Sequence, residues 1–238
     1  MEKVKLIHIG KCGGTTLVET LGLKEIHLTK ANPQPNTKYI IWVRNPIKRF
    51  VSAFNFSKGI IDTDTTNLNP NNLNLNNCLA PYWVKRKMLY NMVFHPHYDN
   101  LIKTFKTANH LAESLTSNNE ELKNKAYKLM SFPMEHIHFG IGWYLNGGKF
   151  IEENNEKILF VGTVENMKED FNKLCELLDI KKEYTHMRRN SKKMDKSLTK
   201  ISIENIINYY KKDYKTLKVL NKFGHLTDDY IKNSTLYT

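Results

Sequence analysis

Residues 4–9, Val-Lys-Leu-Ile-His-Ile, form a largely apolar, β-branched stretch that predicts a strand. A glycine-containing turn follows, and residues 15–21 then carry helical spacing that closes near Gly22. A short second strand is expected over residues 25–28, and Asn32-Pro33-Gln34-Pro35-Asn36 reads as a loop on its proline chemistry. Residues 39–43, Tyr-Ile-Ile-Trp-Val, are continuously apolar, the pattern of a strand buried on both faces in a parallel sheet. Pro46 suits the first turn of the next helix, which carries Arg49 and Ser52. A second such run, residues 158–161, precedes residues 164–178, where Met167, Phe171, Leu174, Leu177 and Leu178 make one apolar helical face. Strands alternating with helices predict an α/β fold, a single domain with a central parallel sheet flanked by helices.

A long insertion, about residues 57–140, has a different character. Residues 67–77 are Asn-rich and of low complexity, as in a loop, whereas residues 81–94, 97–105 and 108–130 read as mainly helical. With no full set of strands and no linker on both sides, the insertion is expected to serve as a lid or acceptor-binding region of the same domain. Residues 201–223 form one long amphipathic helix in this reading, with Ile203, Ile206, Ile207, Tyr210, Tyr214, Leu217 and Leu220 roughly on one side.

At 238 residues the chain has the length for one substantial core or two small ones, and the single-domain reading is favoured. No run of about 18 apolar residues occurs, which argues against a membrane-spanning helix. The N-terminus leads into the first strand without the features of a secretory signal, so a cytoplasmic protein is expected. Cys12, Cys78 and Cys175 are odd in number and widely spaced, which fits free thiols better than disulfides or a zinc site. A net charge of +12 implies an anionic partner without saying which, and it also suits a solubilising lysine-rich surface.

The chemistry concentrates in two stretches. Between the first strand and helix, Gly10-Lys11-Cys12-Gly13-Gly14-Thr15-Thr16 would present backbone N–H groups, two hydroxyls and a lysine to an anion at a helix N-terminus. The lysine precedes the glycines, so the G-x-x-x-x-G-K-[ST] phosphate-loop signature is not met. About thirty residues on, Arg44-Asn45-Pro46-Ile47-Lys48-Arg49-Phe50-Val51-Ser52 begins at the end of the buried strand. Arg44 there can make paired, charge-assisted hydrogen bonds to a phosphate.

Together these stretches resemble the 5′-phosphosulfate loop and the 3′-phosphate motif, R-[DN]-P-x-x-R-x-x-S, of sulfotransferases that use 3′-phosphoadenylyl sulfate (PAPS). Phe160-Val161-Gly162-Thr163-Val164-Glu165 with the helix after it resembles the family's late strand and helix, and Arg188-Arg189-Asn190-Ser191 resembles its nucleotide-covering loop. The resemblance spans residues 4–56 and about 158–220. It implies a P-loop NTPase-like fold, with PAPS as co-substrate, its 3′,5′-bisphosphate (PAP) as product, and no required metal. Lys11, Cys12, Gly13, Gly14, Thr15 and Thr16 would hold the phosphosulfate; Arg44 and Ser52, completed by Arg189 and Lys192, would hold the nucleotide. Lys11 would also stabilise the leaving phosphate, and His27 would be the catalytic base for an acceptor hydroxyl, on a carbohydrate, either neutral or acidic. Glu25 is the substitute base.

Other residues have plainer readings. His8 is expected as a core residue, Trp143 and Tyr144 as packing, and Arg49 as either a phosphate contact or a solvated helix face. His95, His97, His136 and His138 lack the acidic or thiol partners of a metal site, though one of them could touch the acceptor. Asn45 stands where aspartate is more frequent in the family, and Cys12 where threonine is common. Two further readings stay open: a P-loop small-molecule kinase, and a non-catalytic basic protein that binds polyanions. No specific nucleic-acid partner and no membrane span are expected.

Overall fold

The computed structural model describes residues 3–62, 96–132, 136–185 and 194–237. Among them, β1 (Lys3–His8), β2 (Lys24–His27), β3 (Thr37–Val43) and β4 (Ile158–Thr163) form one parallel sheet in the order β2-β1-β3-β4. The chain leaves β1 to one side to make β2 and returns on the other to make β3. Crossovers that diverge in this way open a crevice beyond the carboxyl ends of the two central strands, the usual ligand position in such sheets. The α/β architecture, P-loop-like with a central parallel sheet flanked by helices, is the one the sequence predicts.

β3 explains its own composition. Tyr39, Ile41 and Val43 enter one apolar cluster with Ile7 and Ile9, while Ile40 and Trp42 enter another with Leu6 and Leu17. A strand covered on both faces has no polar alternation. Helices α1 (Gly14–Leu21) and α2 (Pro46–Ile61) follow β1 and β3 directly. The start of α2 is set by Asn45, whose Oδ1 accepts from the Ile47 and Lys48 N–H groups at 2.9 and 3.0 Å, with Pro46 in the first turn.

Three helices of the insertion are described, α3 (Pro96–Thr104), α4 (Ala108–Ser114) and α5 (Glu120–Met130). They share a core with α2 and with α9 (Lys200–Tyr209): Phe50, Phe54, Tyr98, Leu111, Leu129 and Ile206 are all buried in it. The expected helix over residues 108–130 is therefore two, because Asn119 turns out of helical geometry and caps the second through Leu122 N–H at 3.0 Å. The expectations for residues 67–77 and 81–94 lie outside the described residues.

Short helices α6 (Ile141–Tyr144) and α7 (Lys149–Asn154) lead into β4, and α8 (Met167–Leu177) packs back on the sheet through Phe171 and Leu174. Leu177, placed by periodicity on that face, is instead 51% exposed at the helix end. The C-terminal helix is also divided, into α9 and α10 (Lys211–Lys222), followed by α11 (Asp228–Asn233). Among the described residues no helix is long and apolar enough to cross a membrane.

Candidate active site

The loop after β1 folds tightly because two of its residues are left-handed, Lys11 at φ 67° and Gly13 at φ 79°. By position, the N–H groups of Gly13, Gly14 and Thr15 precede the first bond of α1, from Thr16 N–H to Gly13 O at 3.0 Å, so they have no acceptor within the helix and gather as donors at its positive end. A Cβ on Gly14 would run into the His8 imidazole, so a larger residue there would have to displace that ring. Cys12 offers no side-chain group to this face: its thiol is buried with Ile7 and Ile9, burial pushes it up to about 12, and its N–H donates to Ile9 O. Thr16 is also mostly buried, while Thr15 is half-buried beside the loop.

The two motifs meet at the crevice. Arg44, at the end of β3, donates from Nη1 to Lys11 O at 3.4 Å, and its Nε is buried with no hydrogen-bond partner among the described residues. An orphaned guanidinium donor beside a cradle of backbone N–H groups fits an anionic ligand. On α2, Lys48, Ser52 and Phe56 are half-buried and spaced one turn apart, so Ser52 shares a stripe with Phe56, over whose ring Lys11 Nζ stands at 3.9 Å.

Arg49 fits neither of its sequence readings. It is fully buried beneath the site, where Nη1 donates to His136 O at 2.8 Å and Phe139 O at 3.2 Å, Nε lies 3.7 Å from Asp213 Oδ2, and the guanidinium covers the Tyr210 ring at 4.9 Å. The Asp213 carboxylate in turn accepts from Ile141 and Gly142 N–H at 2.9 Å each. This buried pair joins α2, α10 and the start of α6.

Histidines line the other side of Lys11. His27, last residue of the edge strand β2, donates from Nδ1 to His8 O at 2.8 Å, since a carbonyl can only accept. That bond selects the tautomer with the Nε2 lone pair available. His8 keeps its reading as a satisfied, largely buried residue and adds contacts to it: its side chain is 11% exposed at the sheet end, hydrogen-bonds the Glu25 carboxylate through Nδ1, and stacks on His27 with centroids 4.1 Å apart. Burial, reinforced by His27, lowers the His8 pKa against the opposing pull of Glu25. His136, whose ring centroid is 5.9 Å from that of His27, packs where a Gly10 side chain would be, and its Nδ1 is buried with no hydrogen-bond partner among the described residues. Burial, with Lys11 and His27 adding to it, lowers its pKa well below 6.5, so it is a neutral ring at physiological pH.

The remaining candidates divide. Arg189 and Lys192 lie outside the described residues. His138 faces Phe139 rather than the His27 group, and among the described residues no cluster of His, Cys, Asp and Glu is arranged to hold a metal. Trp143 stacks on Phe139 at 4.0 Å and Tyr144 is buried, so both pack. His136 was legible in the sequence only as half of a His-x-His pair; its place beside Gly10 arises from a contact across more than a hundred residues.

A phosphate-type loop, an arginine reaching across to it from the adjacent strand and a histidine beside both define an α/β group-transfer domain of the P-loop-like kind. The model of the Sulfotransferase family matches residues 3–219, most of the chain, and the chain belongs to that family. No curated protein and no solved structure matches it.

Proposed function

We propose that this sulfotransferase moves the sulfuryl group of PAPS to an acceptor hydroxyl, on a carbohydrate, by a single in-line displacement. The N–H groups of Gly13 and Gly14 and the hydroxyls of Thr15 and Thr16 hold the phosphosulfate, with the backbone of Cys12 shaping the loop. Arg44 and Ser52, joined by Arg189 and Lys192, hold the 3′-phosphate. The acceptor oxygen attacks sulfur as the sulfur–phosphate oxygen bond breaks, the bonding pair leaves with PAP, and the hydroxyl proton passes to Nε2 of His27. Lys11 donates to the departing bridging oxygen, so the new charge is met by a group already in place. No step in this scheme calls for a metal.

The observation that supports the reading is the hydrogen bond from Arg44 to the Lys11 carbonyl, by which residues 10–16 and residues 44–52 come together at the strand-order reversal, where sheets of this kind receive ligands. Calorimetric titration with PAP, run beside Mg-ATP on the wild type and Arg44→Ala, tests it. Metal-independent binding of PAP that weakens at least tenfold in the variant is expected. Preference for Mg-ATP would replace the reading with phosphoryl transfer, and binding of neither would leave a basic protein with affinity for polyanions.

A further inference from the structure

We infer that His8 and Glu25 form a positioning pair for His27, holding its ring in the plane from which Nε2 meets the acceptor and offsetting the charge the ring acquires there. The inference rests on the reading of His27 as the base. It begins with strand register: β1 and β2 pair His8 with His27 and Leu6 with Glu25, so the alternation of the pleat returns Glu25 to the side of His8. His27 is then gripped twice by one residue. Its Nδ1–H is held by the His8 main-chain carbonyl at 2.8 Å, and its face is covered by the His8 ring at 4.1 Å with 24° between the planes. The His8 ring is itself fixed at its far side by the hydrogen bond from Nδ1 to the Glu25 carboxylate and bounded by Gly14 of the phosphate loop. A side chain on an edge strand, half-open to solvent, would otherwise share its time among rotamers.

The same arrangement handles charge. Once Nε2 takes the hydroxyl proton, the His27 ring becomes a cation facing a neutral imidazole whose other side carries a carboxylate. Burial keeps His8 in that neutral form, so the stack does not set two cations face to face. The other titratable groups around the stack are Lys11, which acts on both His8 and His136, His136 itself, and Tyr144, whose ring lies 6.5 Å from His27. Lys11 disfavours a further cation, and among these groups Glu25 alone supplies negative charge. The pair therefore links the base to the loop that holds the donor.

Three variants separate the parts. Glu25→Gln keeps a hydrogen-bond acceptor for His8 and removes the charge, Glu25→Ala removes both, and His8→Phe keeps the stacked face but cuts the link to Glu25. Each should lower kcat about 10- to 100-fold, less than the ~10²–10⁴ of losing a base outright, with PAP affinity held within about twofold. In Glu25→Gln the acidic limb of the kcat profile should move to lower pH, which a purely structural role would not do. Nitrogen NMR of the histidines in substrate-free protein should give the single Nδ1–H tautomer for His8, the ring that Glu25 holds, in the wild type and a tautomer mixture in Glu25→Ala. Unchanged kcat and an unchanged tautomer in the Glu25 variants, with His27→Ala inactive, would overturn the pair and leave the base. Full turnover in His27→Ala would overturn the base, and the tautomer measurement would then decide the pair alone, supporting it if mixed and ending it if unchanged.

Discussion

Asn45 does three jobs at once. Its Oδ1 caps α2, its backbone N–H donates to Glu165 Oε1 at 3.0 Å, and its Nδ2 donates to Leu236 O at 3.0 Å and Asn233 O at 3.4 Å. Aspartate would cap the helix as well but would set a carboxylate against two carbonyls and lose the donors that tie down the C-terminal residues. Asn45→Asp should cost about 1–3 kcal/mol, measured as a lower urea midpoint with unchanged slope; an unshifted midpoint would contradict this account. His136 gives a pH dependence at the same scale. Its imidazole is held neutral in the fold with a pKa well below 6.5, so below about that pH the unfolded chain binds more protons than the folded one. Stability is therefore full above pH 6.5 and falls as the solution is made more acid. Burial lowers His8, His138 and His225 in the same direction. Thermal melts from pH 7.5 to 5 should show a falling midpoint, with a shallower fall in His136→Gln.

At the scale of elements, the division between α9 and α10 is the informative departure from the sequence pattern. Periodicity sees one apolar side from Ile203 to Leu220, but Ile206 and Tyr210 serve the helical core around α2, whereas Leu217 and Leu220 serve the sheet-side core. One straight helix cannot face both, and the break at Tyr210 lets each half turn to its own layer. Asp213, just past the break, points inward to Arg49 and to the N–H groups that start α6. Burial raises its pKa, while the Arg49 charge and the Gly142 and Ile141 donors pull it back. Asp213→Ala would leave a fully buried guanidinium without its carboxylate, at a cost of roughly 3–5 kcal/mol. Chemical denaturation should show that loss, and most of it should disappear in the double variant Arg49→Met/Asp213→Ala. Equal stability of the single and double variants would mean that the pair does not work as a unit.

Across the whole molecule, positive charge is unevenly balanced. Exposed lysines of α5 and α8 sit beside carboxylates one turn away, as in Lys125–Glu121 and Lys173–Glu169. Along α10, Lys211, Lys215, Lys218 and Lys222 are exposed on one stripe and make no ion pair among the described residues. Eleven residues of helix rise make this stripe about 16 Å long, and at a net charge of +12 it offers a polyanion a row of lysines without paired carboxylates among the described residues. Replacing these four lysines by glutamine should release the protein from a sulfated-polysaccharide column at clearly lower salt. Four glutamines at Lys123, Lys125, Lys149 and Lys173, lysines that face carboxylates, should move elution less. Equal shifts would reduce the effect to net charge.

The sequence by itself determined what depends on neighbours along the chain. The apolar runs at 39–43 and 158–161 read as strands of a parallel sheet, Pro46 after Asn45 suited the first turn of a helix, and Gly13-Gly14 ahead of Thr15 marked the helix start that now faces Arg44. Those features are local because hydrogen bonding and backbone sterics act over a few residues. The tertiary structure alone decided Arg49, His8 and His136. A buried arginine and a surface arginine have the same one-letter neighbourhood, and only Asp213 and the carbonyls of residues 136 and 139, some 90 to 160 positions away, distinguish them. His8 reads as a strand interior until the register of β1 on β2 supplies Glu25 and His27. The site was legible where one segment folds it and illegible where segments distant in sequence must meet, because burial, charge pairing and ring stacking depend on distance in space.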